Sequence, residues 1–332
     1  MEQRKKDHIE LAFSSQVASA LADKRFNYEP LMSAHPIGET EPFIFLGKTM
    51  RVPMWVSSMT GGTSKARIIN TNLARACHEF GMGMGLGSCR ILLEKPEHFD
   101  DFNMRGIIGP DLPLYANIGI AQLESMLLTR SHERLTGLVE KLRADGLIIH
   151  VNPIQEWLQE EGDLLKQPPI ETIEHFLSLT SLKIIVKEVG QGMGPASITR
   201  LMKLPIEAFE FAAFGGTNFS QVELARIQTQ KLEEYDPLAL IGHTAGEMLD
   251  FINCLANGNN EYACNQLIIS GGIRSFLDGY YFISKSTLPA IFGQASAFLR
   301  CAQGEYVDLQ QFVARQINGL KFAKAYLSLR NL

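Results

Sequence analysis

The sequence predicts an α/β protein, a (β/α)8 TIM barrel behind an N-terminal extension, on three observations. Short apolar runs recur along the chain, segments of helical spacing lie between them, and most runs end at a cluster of the 28 glycines. Strands that alternate with helices and are apolar along their length belong to a parallel sheet covered on both faces. Eight such units in 332 residues fit a closed barrel better than an open sheet.

The runs are residues 54–59, 82–86, 113–117, 146–151, 182–187, 208–213, 266–270 and 290–294. The second is weak and also reads as a loop. Helical spacing is clear in 68–80 and 170–180. Residues 238–241 are apolar too, but Thr244-Ala-Gly-Glu247 follows at capping-box spacing, so a helix starts there. His243 beside that cap has a helix-end position as its ordinary reading. Residues 1–52 form the extension and 53–332 the barrel.

Composition narrows the function. Lys+Arg 31 against Asp+Glu 36 gives a net charge of −5, which argues against a dedicated nucleic-acid binder. The five cysteines are scattered without a CxxC pair, so neither a disulfide framework nor a cysteine zinc site is expected, and a reducing cytoplasm fits. No apolar run approaches the roughly 18 residues of a membrane span. The opening MEQRKKDHIE has no apolar core behind it, so no signal peptide is expected.

In such a barrel the active site lies at the C-terminal ends of the strands. The residues there are Ser58-Met59-Thr60-Gly61-Gly62, Gly87-Ser88-Cys89-Arg90, Ala116-Asn117, His150 to Glu156, Lys187-Glu188, Gly215-Gly216-Thr217 and Ser270-Gly271-Gly272-Ile273-Arg274. A single Gly-Gly pair is ordinarily a tight turn. Gly271-Gly272 with Arg274, however, offers backbone N–H groups beside a guanidinium, which suits a phosphate dianion. Thr217 adds a hydroxyl on the neighbouring strand. Lys187 ends an apolar strand, where an unpaired ammonium is costly. It either pairs with a neighbour such as Glu188 or faces an anionic group. The N1 and C2=O edge of an isoalloxazine is such a group, and a cation there stabilises reduced flavin. Asn117 and Ser88 suit the same ring. Together these features point to FMN in the barrel mouth.

The fourth strand end reads HVNPIQEW. His150 and Asn152 share one face by period two, Pro153 stops the strand, and Gln155 and Glu156 follow. A lone carboxylate among neutral polar groups suits Mg²⁺, which takes one or two carboxylates and completes its shell with water and phosphate. The nearby Glu160, Glu161 and Asp163 favour the alternative of a solvated acidic loop. At the N-terminus, Arg4, Lys5 and His8 read as a solvated tail, or as diphosphate ligands if Ile9, Leu11, Ala12 and Phe13 anchor their helix.

The chain resembles the FMN-dependent, type 2 isopentenyl-diphosphate delta-isomerases along nearly its whole length. The shared motifs are RKxDHI at 4–9, FxYEPL at 26–31, SMTGG at 58–62, ANIG at 116–119, HxNPxQE at 150–156, VKEVGxGM at 186–193, GGT at 215–217 and SGGIR at 270–274. SGGIR and SMTGG are shared with other FMN barrels, whereas HxNPxQE with RKxDHI is specific. The resemblance implies interconversion of isopentenyl and dimethylallyl diphosphate with reduced FMN, Mg²⁺ and NADPH as reductant, without net redox change. By matching position, Ser58, Met59, Thr60, Ser88, Asn117, Lys187, Thr217, Gly271, Gly272, Arg274, Gln294 and Ala295 would hold FMN. Arg4, Lys5, His8, Arg90, His150, Asn152 and Gln155 would surround the substrate, with Gln155 and His150 as the catalytic candidates. Glu156 would bind Mg²⁺. The resemblance also implies a homo-oligomer, a tetramer or octamer.

Several positions depart from the family pattern. Cys89 stands where Gln is usual, Phe219 where Trp is usual, Glu210 for Asp, Gly194 for Ser, Pro289 for Gly in the usual LGA and Phe276 for Gly. If the backbone approaches the FMN phosphate at 276, a Cβ there is expected to weaken binding. Two alternatives follow: an FMN oxidoreductase of the 2-hydroxy-acid oxidase type, and an inactive flavin-binding relative. The first requires His-Gly-Gly-Arg at the sixth strand end, where this chain has Phe214-Gly215-Gly216-Thr217.

Overall fold

Eight parallel strands close on themselves in the computed structural model, which describes residues 2–58, 64–226, 230–258 and 262–330, without the side chains of Ser64 and 230–233. They are β1 (Met54–Val56), β2 (Gly83–Gly85), β3 (Leu114–Gly119), β4 (Gly146–His150), β5 (Ile184–Lys187), β6 (Ala208–Glu210), β7 (Leu267–Ser270) and β8 (Ala290–Gln294). Each pairs with the next in sequence, and β8 closes on β1. All eight predicted runs are strands. The weak second one is glycine-rich for a steric reason. A Cβ at Gly83 would lie 2.6 Å from the Trp55 ring, and one at Gly85 would lie 2.6 Å from Ile148 Cδ1. The absent side chains of β2 make room for large neighbours, which removes the apolar signal. The helix after Thr244 also forms, with the predicted capping box to Glu247.

Strand alternation sorts the barrel interior into layers. Trp55, Tyr115, Ile148, Ile185, Ala208, Ile268 and Ile291 form one buried cluster with Phe45, Leu46 and Met50. Two residues further along each strand stand Ser57, Asn117, His150, Lys187, Glu210, Ser270 and Gly293. The interior therefore changes from apolar to polar within one pleat, at the C-terminal end. The apolar end is plugged by an antiparallel hairpin, Phe43–Phe45 with Lys48–Met50. Leu46 N–H donates to Gln266 Oε1 (2.8 Å), and Lys48 pairs with Asp145 (3.0 Å), which fixes the plug. Strand Phe26–Tyr28 pairs with Leu327–Leu329, so the extension is tied to the C-terminal segment.

Phe276 opens the helix Phe276–Lys285, and its ring lies against Gly319 of the helix Tyr306–Tyr326. A Cβ at Gly319 would fall 2.4 Å from the Phe276 ring. Phe276 is absent from the lining of the mouth cavity. The extra ring is thus accommodated by a glycine on another helix, away from the expected phosphate crowding. Gly319→Ala is expected to cost about 1–3 kcal/mol through overpacking, read as a lower thermal midpoint. An unchanged midpoint would contradict this packing.

The first helix, Glu2–Leu11, buries none of its residues. The expected anchors do not dock: Ile9 is 73% exposed, Leu11 58% and Phe13 82%. The helix ends at Leu11, so Phe13, four residues after Ile9, lies beyond it and cannot share its apolar face.

Candidate active site at the barrel mouth

The ends of β6 and β7 meet as two glycine pairs. Gly215, Gly271 and Gly272 have φ of +116°, +88° and +74°, in the left-handed region. A Cβ at Gly271 would lie 2.1 Å from Ala213 O, and one at Gly216 would lie 3.0 Å from Gly272 N. Only bare backbone fits, and it forms a cradle beside Thr217, Arg274, Gln294 and Ala295. The turn is rigid. Asp278 accepts the N–H groups of Arg274 (2.9 Å) and Ser275 (3.2 Å), and its other oxygen pairs with Arg25 (2.7 Å). Gln294 Nε2 donates to Ile273 O (3.1 Å).

Lys187 lines the same cavity and is 5% exposed. Glu188 does not pair with it. The Glu188 carboxylate turns back to accept N–H groups from Gly190 (2.7 Å), Gln191 (2.5 Å) and Gly192 (3.1 Å). Burial raises the pKa of Glu188, and the Gln191 and Gly190 N–H groups oppose the shift. Among the described residues no hydrogen bond or ion pair is made to the Lys187 ammonium. Ser58 Oγ, Gln294 Oε1 and Glu210 Oε2, on residues that line the same cavity, are likewise buried without a partner. Buried polar atoms are normally bonded, so orphans gathered around one glycine cradle fit a polar, anionic ligand such as FMN.

Asn117 Nδ2 donates to Leu86 O (3.0 Å), which turns Asn117 Oδ1 toward His150 Nδ1 at 2.8 Å. Burial, aided by the Lys187 charge, pushes the His150 pKa down to about 3, so the ring is neutral at pH 7. Nδ1 then carries the proton and Nε2 is an acceptor. A Cβ at Gly119 would sit 3.0 Å from Nε2. In the unfolded chain a histidine titrates near about 6.5. Between these values the unfolded state binds more protons, so the stability tied to neutral His150 is complete above about pH 6.5 and is lost as pH falls toward 3. The urea midpoint should therefore drop from pH 7 to pH 5, and His150→Gln should flatten that drop. Equal slopes would contradict the neutral ring.

Pro153 opens the helix Pro153–Leu158, which brings the HxNPxQE residues into one bonded unit. Asn152 Nδ2 donates to Gln155 Oε1 (3.0 Å) and to Glu156 Oε1 (2.9 Å). Gln155 Nε2 donates to Glu223 Oε1 (2.9 Å), on the helix Phe219–Arg226, so both ends of the Gln155 amide are held. Glu156 is buried, and its Oε2 accepts the Asp163 N–H (2.9 Å). Gly162 permits that turn, since a Cβ there would lie 1.8 Å from Glu156 O. Asp163 also pairs with Arg90 (2.9 Å). Among the described residues no cation pairs with Glu156, and no three His, Cys, Asp or Glu side chains gather as a metal site. A buried carboxylate with spare lone pairs and no counter-charge fits Mg²⁺ held by one protein ligand.

Other expected residues fall apart from this cluster. Met59, Thr60, Gly61 and Gly62 lie outside the described residues. Ser88 and Arg90 are exposed at the end of β2. Cys89 between them is buried and its thiol is pushed up to about 12, so it stays protonated and unreactive. Arg4, Lys5 and His8 are exposed on the undocked helix, and the structure does not bring them to the mouth. The sequence reading missed Ser57, Glu223 and Arg300, and it named Glu210 only as a departure from the family Asp and Ser270 only as part of the strand-end motif. An acid inside the run AFEFAA was the available signal for Glu210.

No family model matches the chain. Among solved structures, a mandelate oxidase with a monooxide FMN adduct superposes with a TM-score of 0.57, at 13% identity over 92% of this chain and 88% of that one. A flavocytochrome b2 with sulfite bound gives 0.63, at 13% identity over 90% and 71%. At that identity the likeness establishes the fold, an α/β barrel of the kind these oxidases use. Sequence carries the assignment further. The chain is 34% identical over 334 residues, 99% of its length, to isopentenyl-diphosphate delta-isomerase of Rickettsia felis and 94% of that protein is covered. It is 36% identical to the Rickettsia akari protein of the same name, over 90% of this chain and 85% of that one. The chain belongs to the isopentenyl-diphosphate delta-isomerase family.

Proposed function

We propose that this protein interconverts isopentenyl and dimethylallyl diphosphate. The observation that carries this is the bonded Asn152–Gln155–Glu156 unit beside the unpartnered Lys187, in a chain related to named isomerases over 99% of its length. FMN, when bound in reduced form, supplies acid–base chemistry at the substrate double bond. Lys187, Asn117, Ser58 and Ser88, with Met59 and Thr60, would hold its ring. Thr217, Gly271, Gly272, Arg274, Gln294 and Ala295 would hold its phosphate, with Arg300 as an added cation on the same cavity. Glu156 would hold Mg²⁺ against the diphosphate. Gln155, fixed by Asn152 and Glu223, would orient the reacting carbons, and neutral His150 would accept a hydrogen bond through Nε2. Arg90 would face the diphosphate.

Arg4, Lys5 and His8 would reach the diphosphate once their helix docks. The exposed Ile9, Leu11 and Phe13 support a surface completed by another copy, in a tetramer or octamer. NADPH would serve as reductant. Five free cysteines fit a reducing cytoplasm, and no helix among the described residues is long and apolar enough to cross a membrane.

The hydroxy-acid oxidase reading has less support, because the end of β6 carries neither histidine nor arginine. The test offers isopentenyl diphosphate with Mg²⁺, and separately mandelate or lactate with oxygen, to one flavin-loaded sample. Allylic product by NMR and no oxygen uptake is expected. Oxygen uptake without isomerisation would overturn the proposal.

A further inference from the structure

Glu210 is the most deeply buried charge-bearing group at the mouth, 0% exposed. Its Oε1 accepts hydroxyl bonds from Ser57 (2.5 Å) and Ser270 (3.1 Å), and its Oε2 has no partner. Gly293 keeps the space above these serines open, since a Cβ there would lie 2.6 Å from Ser57 Oγ. Lys187 is the in-register neighbour of Glu210 on the adjacent strand, points into the same polar layer, and lines the same cavity. Two serine hydroxyls do not offset the cost of a buried carboxylate, and no hydrogen bond or ion pair among the described residues offsets that of the ammonium.

We propose that Glu210 is a positioning residue, the counter-charge that orients Lys187 and, through Lys187, sets the redox poise of the flavin. This rests on the FMN reading above. A carboxylate behind Lys187 weakens the field that the ammonium presents to a reduced, anionic ring, and it holds the side chain back from that edge. Removing the charge should favour the reduced flavin.

The test measures the flavin's reduction potential in the holoprotein by anaerobic dye equilibration. In Glu210→Gln the carboxamide oxygen still accepts both serine hydroxyls, so a merely structural role predicts no change. The counter-charge role predicts at least a tenfold shift toward reduced flavin, about 30 mV positive for a two-electron couple. In a Lys187→Met background the same exchange should shift the potential far less. An unchanged potential, or equal shifts in both backgrounds, would overturn the proposal. A second measurement needs no flavin. Thermal stabilities of the FMN-free wild type, Glu210→Gln, Lys187→Met and the double variant form a cycle. Compensating charges predict that the double variant loses less than the two single losses added, and strict additivity would overturn the pairing. A protein that takes up no FMN would contradict the cofactor reading, and the cycle would still decide the pair.

Discussion

Glu156→Gln is expected to lower Mg²⁺-dependent isomerisation on the order of 10³-fold, about 4 kcal/mol of transition-state stabilisation, while FMN uptake stays stoichiometric. The size follows from the geometry. Glu156 is the single carboxylate of the HxNPxQE unit, and among the described residues no three His, Cys, Asp or Glu side chains gather around it as a metal ligand set. Its oxygens already accept from Asn152 and from the Asp163 N–H. A carboxamide satisfies one of these donors and turns an N–H toward the other, with an added cost of about 1–3 kcal/mol. Kinetics against Mg²⁺ concentration and flavin absorbance on the same preparation separate the two effects. Retained turnover with an unchanged Mg²⁺ response would contradict the metal assignment.

Gly271→Ala is expected to abolish FMN retention. The new Cβ would fall 2.1 Å from Ala213 O and 2.2 Å from Ala213 N, and φ is +88°. Both atoms are backbone of the neighbouring strand end, so the β6 and β7 loops must separate and the cradle opens. Strain of this kind costs about 1–3 kcal/mol before any clash is counted. Gly272→Ala is the internal comparison. Its φ is also positive, but its Cβ would have 3.5 Å to the nearest atom, so it should lose less. Apoprotein titrated with FMN, followed by fluorescence quenching, reads both. Equal affinity in Gly271→Ala and wild type would contradict the cradle.

The fold was legible because apolar runs in a parallel barrel are continuous, and each ended at glycines or polar residues that the mouth requires. β2 was marginal because Gly83 and Gly85 contribute space in place of side chains. Strand-end motifs were legible for the same reason that active sites are: polar groups stood where the period called for apolar ones. Glu210 satisfied that criterion, but the apolar run read from the sequence extends to 213, three residues past the strand's true end at Glu210, so the acid sat inside the run. The accommodation of Phe276 by Gly319 was not legible, because the two residues sit on different helices and meet only after folding. The N-terminal helix was legible as a helix, but the anchoring expected of Ile9, Leu11, Ala12 and Phe13 is not met, because the helix ends at Leu11 and Ile9, Leu11 and Phe13 stay exposed.

The central claim is that this mouth isomerises its substrate only with a reduced flavin in place. The most direct measurement takes apoprotein, adds FMN in steps, reduces it anaerobically, and follows dimethylallyl diphosphate formed from isopentenyl diphosphate with Mg²⁺ by NMR. Conversion that rises with bound, reduced FMN and vanishes on reoxidation is the predicted result. Conversion by the apoprotein or by the oxidised form, or none at full flavin occupancy, would contradict it.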